Sequence, residues 1–213
     1  MIEPGTGGAD VGAPGSGLWL ETLQRIATRA AHEVKNSLNG VAVNLEVVRV
    51  RASRAADAES IARFASTASA QLELLIRQID ALLGVVRRPA READVAAVAR
   101  QLHLLLERTG PEGSVLRLDA PDGLAAPTAA DPAVVRLLLG RLLLGLAEGG
   151  GNAELALRVH QDGGVEASAR AEPPVALDAE CRDIAAAAGV AVLAAGNGTL
   201  TLTFPAASAA ETL

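Results

Sequence analysis

Three side chains that could take part in chemistry lie close together in the sequence: His32, Glu33 and Asn36. Apolar residues on either side of them recur at steps of three and four, which predicts a long helix with one buried stripe. His32 falls off that stripe, so its imidazole is expected to face solvent or another protein. Glu33 follows it directly, and Asn36 lies one turn further along the same helix face. An exposed imidazole beside a carboxylate and an amide, on a rigid helix, is suited to chemistry. The stripe consists of Leu23, Ile26, Ala30, Val34, Leu38, Val41, Leu45 and Val48.

The run HEVKNSLN, which begins at His32, resembles the H-box of two-component histidine kinases, which reads approximately H-E-x-K/R-N/T-P-L. It departs from that pattern at Ser37, where the family has proline. The resemblance implies that His32 is a phosphoacceptor that exchanges a phosphoryl group with an aspartate on a receiver domain. It also implies that Glu33 is the acid/base that polarises the histidine, and that Asn36 can orient a water for dephosphorylation. Taken without the resemblance, the same residues also fit an ordinary solvated helix surface.

Basic residues near His32 could offset the charge of a phosphoryl group. Lys35 is the only lysine of the chain, and Arg25 and Arg29 precede the histidine on the same predicted helix. These side chains either face a phosphoryl group or form a solvated helix face, and the sequence leaves both interpretations open.

The composition restricts the class of protein. The 213 residues include one tryptophan, two phenylalanines and no tyrosine, so the core must be built from Leu, Val, Ile and Ala, which suits packed helices. A formal net charge of −6 argues against nonspecific nucleic-acid binding. The apolar run Ala133–Leu146 is interrupted by arginines and is too short for a membrane span. With no basic and apolar leader at the N-terminus either, the protein is expected to be soluble and cytoplasmic.

The remaining metal-binding or nucleophilic residue types indicate no second site. Cys181 is the only cysteine, which excludes a disulfide framework, and its Ala-rich surroundings predict a small buried residue. His103 lies among leucines and is expected to be partly buried, whereas His160 ends a predicted strand and is expected to be exposed and incidental. The three histidines show no metal-ligand spacing with Asp or Glu, so no metal site is predicted.

The first part of the chain is predicted to be a helical hairpin. Residues 1–16 are rich in glycine and proline and are expected to be disordered. Two long helices follow, one beginning at Leu18 and one capped by Asp57 and stopped by Pro89; they define an antiparallel hairpin over residues 17–89. A lone hairpin cannot cover both apolar stripes, so two copies are expected to form a four-helix bundle in a homodimer.

After the hairpin the pattern changes to short helices and strands, assigned to residues 90–205, with a flexible tail at 206–213. Helices are predicted to begin at the capping residues Asp94, Asp131 and Asp178. The predicted strands are Val115–Leu118, Glu154–His160, Val165–Ala171, Val190–Ala195 and Thr199–Phe204.

This order of elements resembles the ATP-binding domain that follows the H-box hairpin in histidine kinases. Asp131-Pro132 and the apolar helix after it resemble the start of the family's N-box helix, and Gly196-Asn197-Gly198 with the last strand resembles its closing strands. The predicted fold class is therefore α + α/β. A long helical hairpin that forms a dimeric four-helix bundle is followed by a small α/β sandwich resembling the histidine kinase ATP-binding domain.

The nucleotide chemistry of that family is missing from the sequence. Arg141 and Gly145 stand where the N-box has asparagines, and neither offers an oxygen side chain to Mg²⁺. The residues 171–174 occupy the place of the motif that reads adenine, and Val175–Asp178 are too few for a lid over ATP. The second domain is therefore expected to have a degenerate ATP/Mg²⁺ site that does not bind ATP productively, and no cofactor is predicted.

A phosphoacceptor hairpin followed by a degenerate ATP domain resembles the dimeric histidine phosphotransferases of bacterial phosphorelays. The resemblance implies a phosphoprotein that carries phosphoryl on His32 between receiver domains, with an upstream histidine kinase as a further partner. Two alternatives stay open, and whether the chain is an enzyme is left undecided. One is a histidine kinase whose ATP site has diverged; the other is a pseudokinase adaptor that dimerises and docks a kinase or receiver without carrying phosphate.

Overall fold

The computed structural model describes residues 15–54, 57–87 and 92–207. Four predicted features lie outside these ranges: the disorder before residue 15, the loop residues 55–56, the helix stop at Pro89 and most of the tail. Residues 15 and 16, predicted to be disordered, are instead the start of the first helix. Its capping residue is Gly15, with φ of 88° and no side-chain cap. A Cβ at Gly15 would lie 2.9 Å from Cδ1 of Ile184, so glycine permits both the turn and the contact.

Two long helices form the predicted antiparallel hairpin: α1, Ser16–Ser53, and α2, Ala58–Val86. Asp57 caps α2 as predicted, because its carboxylate accepts a hydrogen bond of 2.7 Å from the Ser60 amide. Between the two helices, Nδ2 of Asn44 donates to Oε1 of Gln71 over 3.1 Å. A Cβ at Gly40 would lie 2.7 Å from Nε2 of that glutamine, so the glycine lets the helices approach at this polar contact.

The rest of the chain is a helix-and-sheet unit, and every predicted element is present. In chain order it comprises β1, Ala93–Asp94; α3, Val95–Leu106; β2, Val115–Asp119; β3, Pro127–Thr128; α4, Pro132–Gly149; β4, Asn152–Val159; β5, Val165–Arg170; α5, Ala179–Ala187; β6, Ala191–Ala194; and β7, Thr199–Phe204. The sheet order is β2-β4-β5-β7-β6, with β2 parallel to β4 and the other pairs antiparallel. The described residues therefore form an α+β fold with five helices and a mixed five-stranded sheet.

The sequence did not predict the small sheet of β1 and β3. Each of these strands has two residues, too few to show an alternating pattern. Tertiary hydrogen bonds hold them instead. Asp94 caps α3 at Ala97 and also accepts from the Ala126 amide, and the Thr128 hydroxyl donates to the Pro205 carbonyl over 2.6 Å.

One face of the large sheet is buried under helices and the other is solvated. Along β4, Ala153, Leu155 and Leu157 are buried, whereas the intervening Glu154 is exposed. The apolar helix α4 covers the buried face; ten of its eighteen residues are buried. This alternation is typical of a sheet with one side in the core and one in water.

The hairpin shares its core with the second unit. Ile26 and Ala30 of α1, and Ala81 and Val85 of α2, belong to the same buried cluster as the sheet and α4. Gly140 lies where α4 crosses α1, and a Cβ there would lie 3.2 Å from Cγ2 of Thr22. Small residues at the crossing thus allow the helices to pack closely.

An arginine of α4 joins the C-terminal end of α2. The Arg136 guanidinium donates to the carbonyls of Gly84 and Val85, each over 3.3 Å, and to that of Arg87. These carbonyls lie in the last turn of α2 and at its C-cap, Arg87, where backbone carbonyls have no amide partner within the helix. Burial lowers the pKa of Arg136 from its ordinary value. The contact ties the end of the hairpin to the second unit.

Candidate functional site

The structure brings the three predicted site residues to one hollow. His32, Glu33 and Asn36 of α1 line a surface depression of about 460 Å³, and residues 108–110, which follow α3, form part of its wall. His32 is exposed, as its position off the apolar stripe predicted. We call this depression the histidine hollow. It is built from the hairpin and from the second unit together.

Within the histidine hollow the imidazole is available to a partner. His32 makes no hydrogen bond or ion pair with any residue in the described ranges. No hydrogen bond or ion pair joins the Glu33 carboxylate to it; Oε1 of Glu33 accepts a hydrogen bond of 3.3 Å from Nδ2 of Asn36. The carboxylate and the amide are thus paired with each other on the helix surface, and the acid/base role of Glu33 and the water-orienting role of Asn36 stay predictions.

Two arginines near the histidine are engaged in joining the two parts of the molecule. Arg29 donates to the carbonyl of Thr109 over 2.7 Å and lies 3.2 Å from the Glu148 carboxylate of α4. Arg25 pairs with the same carboxylate. Their guanidinium groups thus bind protein acceptors, whereas Lys35 is exposed and is not part of the wall of the histidine hollow.

Arg108 is a residue of the histidine hollow that sequence reasoning missed. It lies 76 positions after His32, beyond the end of α3, and no local pattern connects the two. Its side chain is exposed, and it lines the hollow together with the α1 residues. Only the docking of α3 against α1 brings the arginine into the hollow that His32 also lines.

The face of α4 that carries Arg141 and Gly145 is covered by the protein itself. Both terminal nitrogens of Arg141 lie 3.3 Å from the Glu21 carboxylate of α1, and one lies 3.8 Å from Asp178. A Cβ at Gly145 would lie 2.5 Å from Cγ2 of Val175. Glycine thus lets the short segment between β5 and α5 rest directly on α4.

The other two histidines and the cysteine lie outside the histidine hollow. His103 is half-buried as predicted, with Nε2 3.0 Å from the Leu116 carbonyl and Nδ1 3.6 Å from Glu107. His160 is exposed, 3.4 Å from Glu166. Cys181 is buried as predicted, and burial, with the neighbouring Asp178, raises the pKa of its thiol to about 11.

The part of the chain that the structure describes shows neither a metal-binding cluster nor a helix that could span a membrane. No group of three or more His, Cys, Asp or Glu in ranges 15–54, 57–87 and 92–207 is arranged to hold a metal ion. None of the helices described here is both long and apolar enough to cross a bilayer.

Comparison with known proteins gives structural neighbours only. No family model matches the chain, and no curated protein does. A structure described as a bacterial phosphotransferase is 14% identical, with 92% of this chain and 98% of that chain covered and a TM-score of 0.41. The histidine kinase domain of the blue-light activated histidine kinase EL346 from Erythrobacter litoralis is 15% identical over 88% of this chain and 94% of that one, with a TM-score of 0.40. A longer chain of the same kinase is 15% identical over 85% of this chain and 63% of that one, with a TM-score of 0.41.

These neighbours are a phosphotransferase and histidine kinase domains, the kinds of protein that the sequence resembles. Because the identities are below 25% and the TM-scores below 0.5, the function has to be inferred from the chain's own residues.

Proposed function

We propose that this chain is a histidine phosphotransfer protein of a bacterial phosphorelay, which carries a phosphoryl group on His32 to or from aspartates of receiver domains. The observation that supports this most directly is the exposed imidazole of His32, which has no partner within the described residues and lies in an open hollow. A phosphoryl carrier needs a nucleophilic ring nitrogen that a second protein can reach. A helix of 38 residues supplies a rigid support for it.

The chemistry is a single exchange of bonds. The lone pair of the neutral imidazole attacks the phosphorus of an aspartyl phosphate on the receiver. A P–N bond forms, the P–O bond to the carboxylate breaks, and its electron pair leaves on the aspartate. The proton on the other ring nitrogen stays there, and Glu33, one residue away, is expected to stabilise the resulting positive charge. The receiver is expected to supply both the aspartate and its Mg²⁺.

The surroundings of α4 support a phosphoryl source other than ATP. Arg141 is paired with Glu21, and Val175 rests on Gly145, so protein groups cover the two positions at which the resembled family has asparagines. An asparagine oxygen could hold Mg²⁺ there, whereas an arginine would repel it. We therefore propose that phosphate reaches His32 from a receiver partner, and that an upstream histidine kinase phosphorylates that partner.

An exposed apolar face on the hairpin supports the homodimer. Five large apolar residues of α2 follow one another at steps of four, three, four and three, with exposed fractions between 43% and 56%. This heptad spacing is that of a helix packed against another helix. We call these residues the α2 stripe: Leu72, Ile76, Ile79, Leu83 and Val86. Because Leu38 and Leu45 of α1 are exposed too, we propose that a second copy covers both helices in a four-helix bundle.

The proposed location is the cytoplasm, where receiver domains would be encountered.

The test is phosphoryl transfer from receivers. The purified protein and its His32→Gln variant are mixed with every receiver domain of the source genome, each phosphorylated with labelled acetyl phosphate. We expect acid-labile label on the wild-type chain from at least one receiver and none on His32→Gln. His160→Gln is the matched control and should accept label like the wild type, because His160 is exposed in the turn after β4 rather than in the histidine hollow.

The same proteins are then incubated with γ-labelled ATP and Mg²⁺. Label on the wild type alone would identify a working histidine kinase and overturn the proposed phosphoryl source. No transfer from any receiver of the complete set, combined with receiver binding that is unchanged in His32→Gln, would identify the adaptor alternative instead.

A further inference from the structure

The wall of the histidine hollow contains two arginines in different electrostatic states. Arg29 donates to the Thr109 carbonyl and pairs with Glu148, a carboxylate that it shares with Arg25, so its guanidinium is held by protein acceptors. Arg108 is exposed and has no hydrogen bond or ion pair with any described residue. Within the described ranges, Arg108 is thus the basic side chain of this wall that is available to a ligand.

A phosphoryl group on His32 would need such a cation. A phosphoryl group on nitrogen carries close to two negative charges near neutral pH, and the Glu33 carboxylate lines the same hollow. Two like charges at about 4–6 Å repel each other, and a cation between or beside them offsets that repulsion. A guanidinium can donate two parallel hydrogen bonds to phosphoryl oxygens, which makes arginine well suited to that place.

The backbone that carries Arg108 is held in position. The Thr109 carbonyl accepts from Arg29 over 2.7 Å, and the Thr109 amide donates to the Leu106 carbonyl over 3.1 Å. At Gly110 a Cβ would lie 3.0 Å from the Ala147 carbonyl, so the chain passes close to α4 at that residue. The contact of Thr109 with α1 and the close approach of Gly110 to α4 therefore hold the backbone next to Arg108, whose side chain is exposed in the histidine hollow.

We propose that Arg108 of the second unit binds the phosphoryl group on His32 and stabilises the negative charge of the phosphorus centre during transfer. This inference rests on the proposed function and extends it to the second unit. That unit then completes the phosphoacceptor site, which would give a domain without nucleotide chemistry a direct role in phosphoryl transfer. The arginine forms no covalent bond; the bonds that change are the P–O bond to the receiver aspartate and the P–N bond to His32.

The first measurement does not need a receiver. Histidine side chains are phosphorylated chemically with phosphoramidate, on a His160→Gln background to remove the exposed second histidine. The ³¹P resonance of phospho-His32 is assigned by its absence in His32→Gln and followed as the pH is varied. A neighbouring guanidinium favours the dianion, so the midpoint of the titration is expected to rise by about one pH unit in Arg108→Ala. Arg108→Lys should raise the midpoint by less than Arg108→Ala does. Arg158→Ala, which removes an exposed arginine of β4, should leave the midpoint at the wild-type value.

The second measurement is the transfer rate from a labelled cognate receiver at saturating concentration. Arg108→Ala should lower the maximum rate by about tenfold to a hundredfold, because one charged donor to the transferred group is lost. Arg108→Lys should be intermediate, and Arg158→Ala should transfer at the wild-type rate.

The two measurements separate the inference from the proposed function. An unchanged ³¹P midpoint in Arg108→Ala overturns the role of Arg108, whatever the transfer assay shows. A raised midpoint with a slowed transfer supports it. A raised midpoint in a protein that accepts phosphate from no receiver would keep Arg108 as a phosphoryl ligand and refute the phosphorelay function.

Discussion

The hairpin has two apolar regions that look alike in sequence and differ in their partners. Near the start of α1, Ile26 and Ala30 are 0% and 2% exposed because α3 and α4 cover them. On α2, Ile76 and Ile79 are 51% and 43% exposed. Both regions carry apolar side chains at helical spacing, yet only the first is buried within the chain. An apolar stripe thus predicts that a helix face will be covered without identifying what covers it.

The chemistry around the two regions also differs. The buried region is flanked by ion pairs and hydrogen bonds between the two units: Arg25 and Arg29 bind Glu148, Arg141 binds Glu21, and Arg136 binds the end of α2. The α2 stripe consists of large aliphatic residues at heptad spacing, as expected of a contact between helices of separate chains. The difference is that one face of the hairpin is covered by its own second unit, whereas the α2 stripe is covered only in the proposed homodimer.

Placing charges on the α2 stripe should have the largest effect. The double change Ile79→Asp and Leu83→Asp would bury unpaired carboxylates in the proposed dimer core, at a cost of about 3 kcal/mol of association or more. Sedimentation equilibrium should then give the mass of one chain where the wild type gives two, with unchanged helical circular dichroism. Val43→Asp, on an exposed α1 position with 64% exposure, should leave the dimer intact. A double variant that still sediments as a dimer would mean that the stripe is not the interface.

Truncating one isoleucine in each region compares them directly. On the monomeric Ile79→Asp, Leu83→Asp background, Ile26→Ala should lower the free energy of unfolding by about 2–5 kcal/mol, since it leaves a cavity in the core. Ile76→Ala on the same background should cost less than about 1 kcal/mol, because its side chain faces water. Urea unfolding followed by circular dichroism provides both values. Equal losses would show that the two regions do not differ in burial.

Removing the Glu148 carboxylate, which Arg25 and Arg29 share, should have the smallest effect on stability. Glu148→Gln leaves Arg25 and Arg29 without their anionic partner, and partly exposed pairs of this kind contribute about 0–1 kcal/mol. The local consequence should be faster hydrogen exchange at Thr109, whose carbonyl Arg29 holds. Glu46→Gln breaks the pair with Arg49 within α1 and should leave exchange at Thr109 unchanged. Equal exchange in both variants would show that Glu148 does not position the wall of the histidine hollow.

Much of the fold could be predicted from local patterns. The caps Asp57, Asp94, Asp131 and Asp178 each accept a hydrogen bond from the first turn of the helix that was predicted to follow. The five strands of the large sheet were found because alternating or apolar runs mark strands that cover a core. The β1–β3 pair and the helix start at Ser16 were missed, since the contacts that hold them come from residues distant in sequence.

In the candidate site, too, some features follow from the sequence and others depend on tertiary packing. The sequence determined that His32 is exposed, that Asn36 lies one turn from it and that Asn36 can reach Glu33, because residues three and four apart are neighbours on a helix surface. It did not determine that Arg25 and Arg29 would be bound by Glu148 and Thr109, or that Arg108 would reach the histidine hollow. Local helix geometry fixes neighbours within one turn, whereas the packing of α3 and α4 against α1 decides which distant side chains share a surface. That packing depends on Ile26, Ala30 and Gly140 fitting together in three dimensions, and so only the tertiary structure decided it.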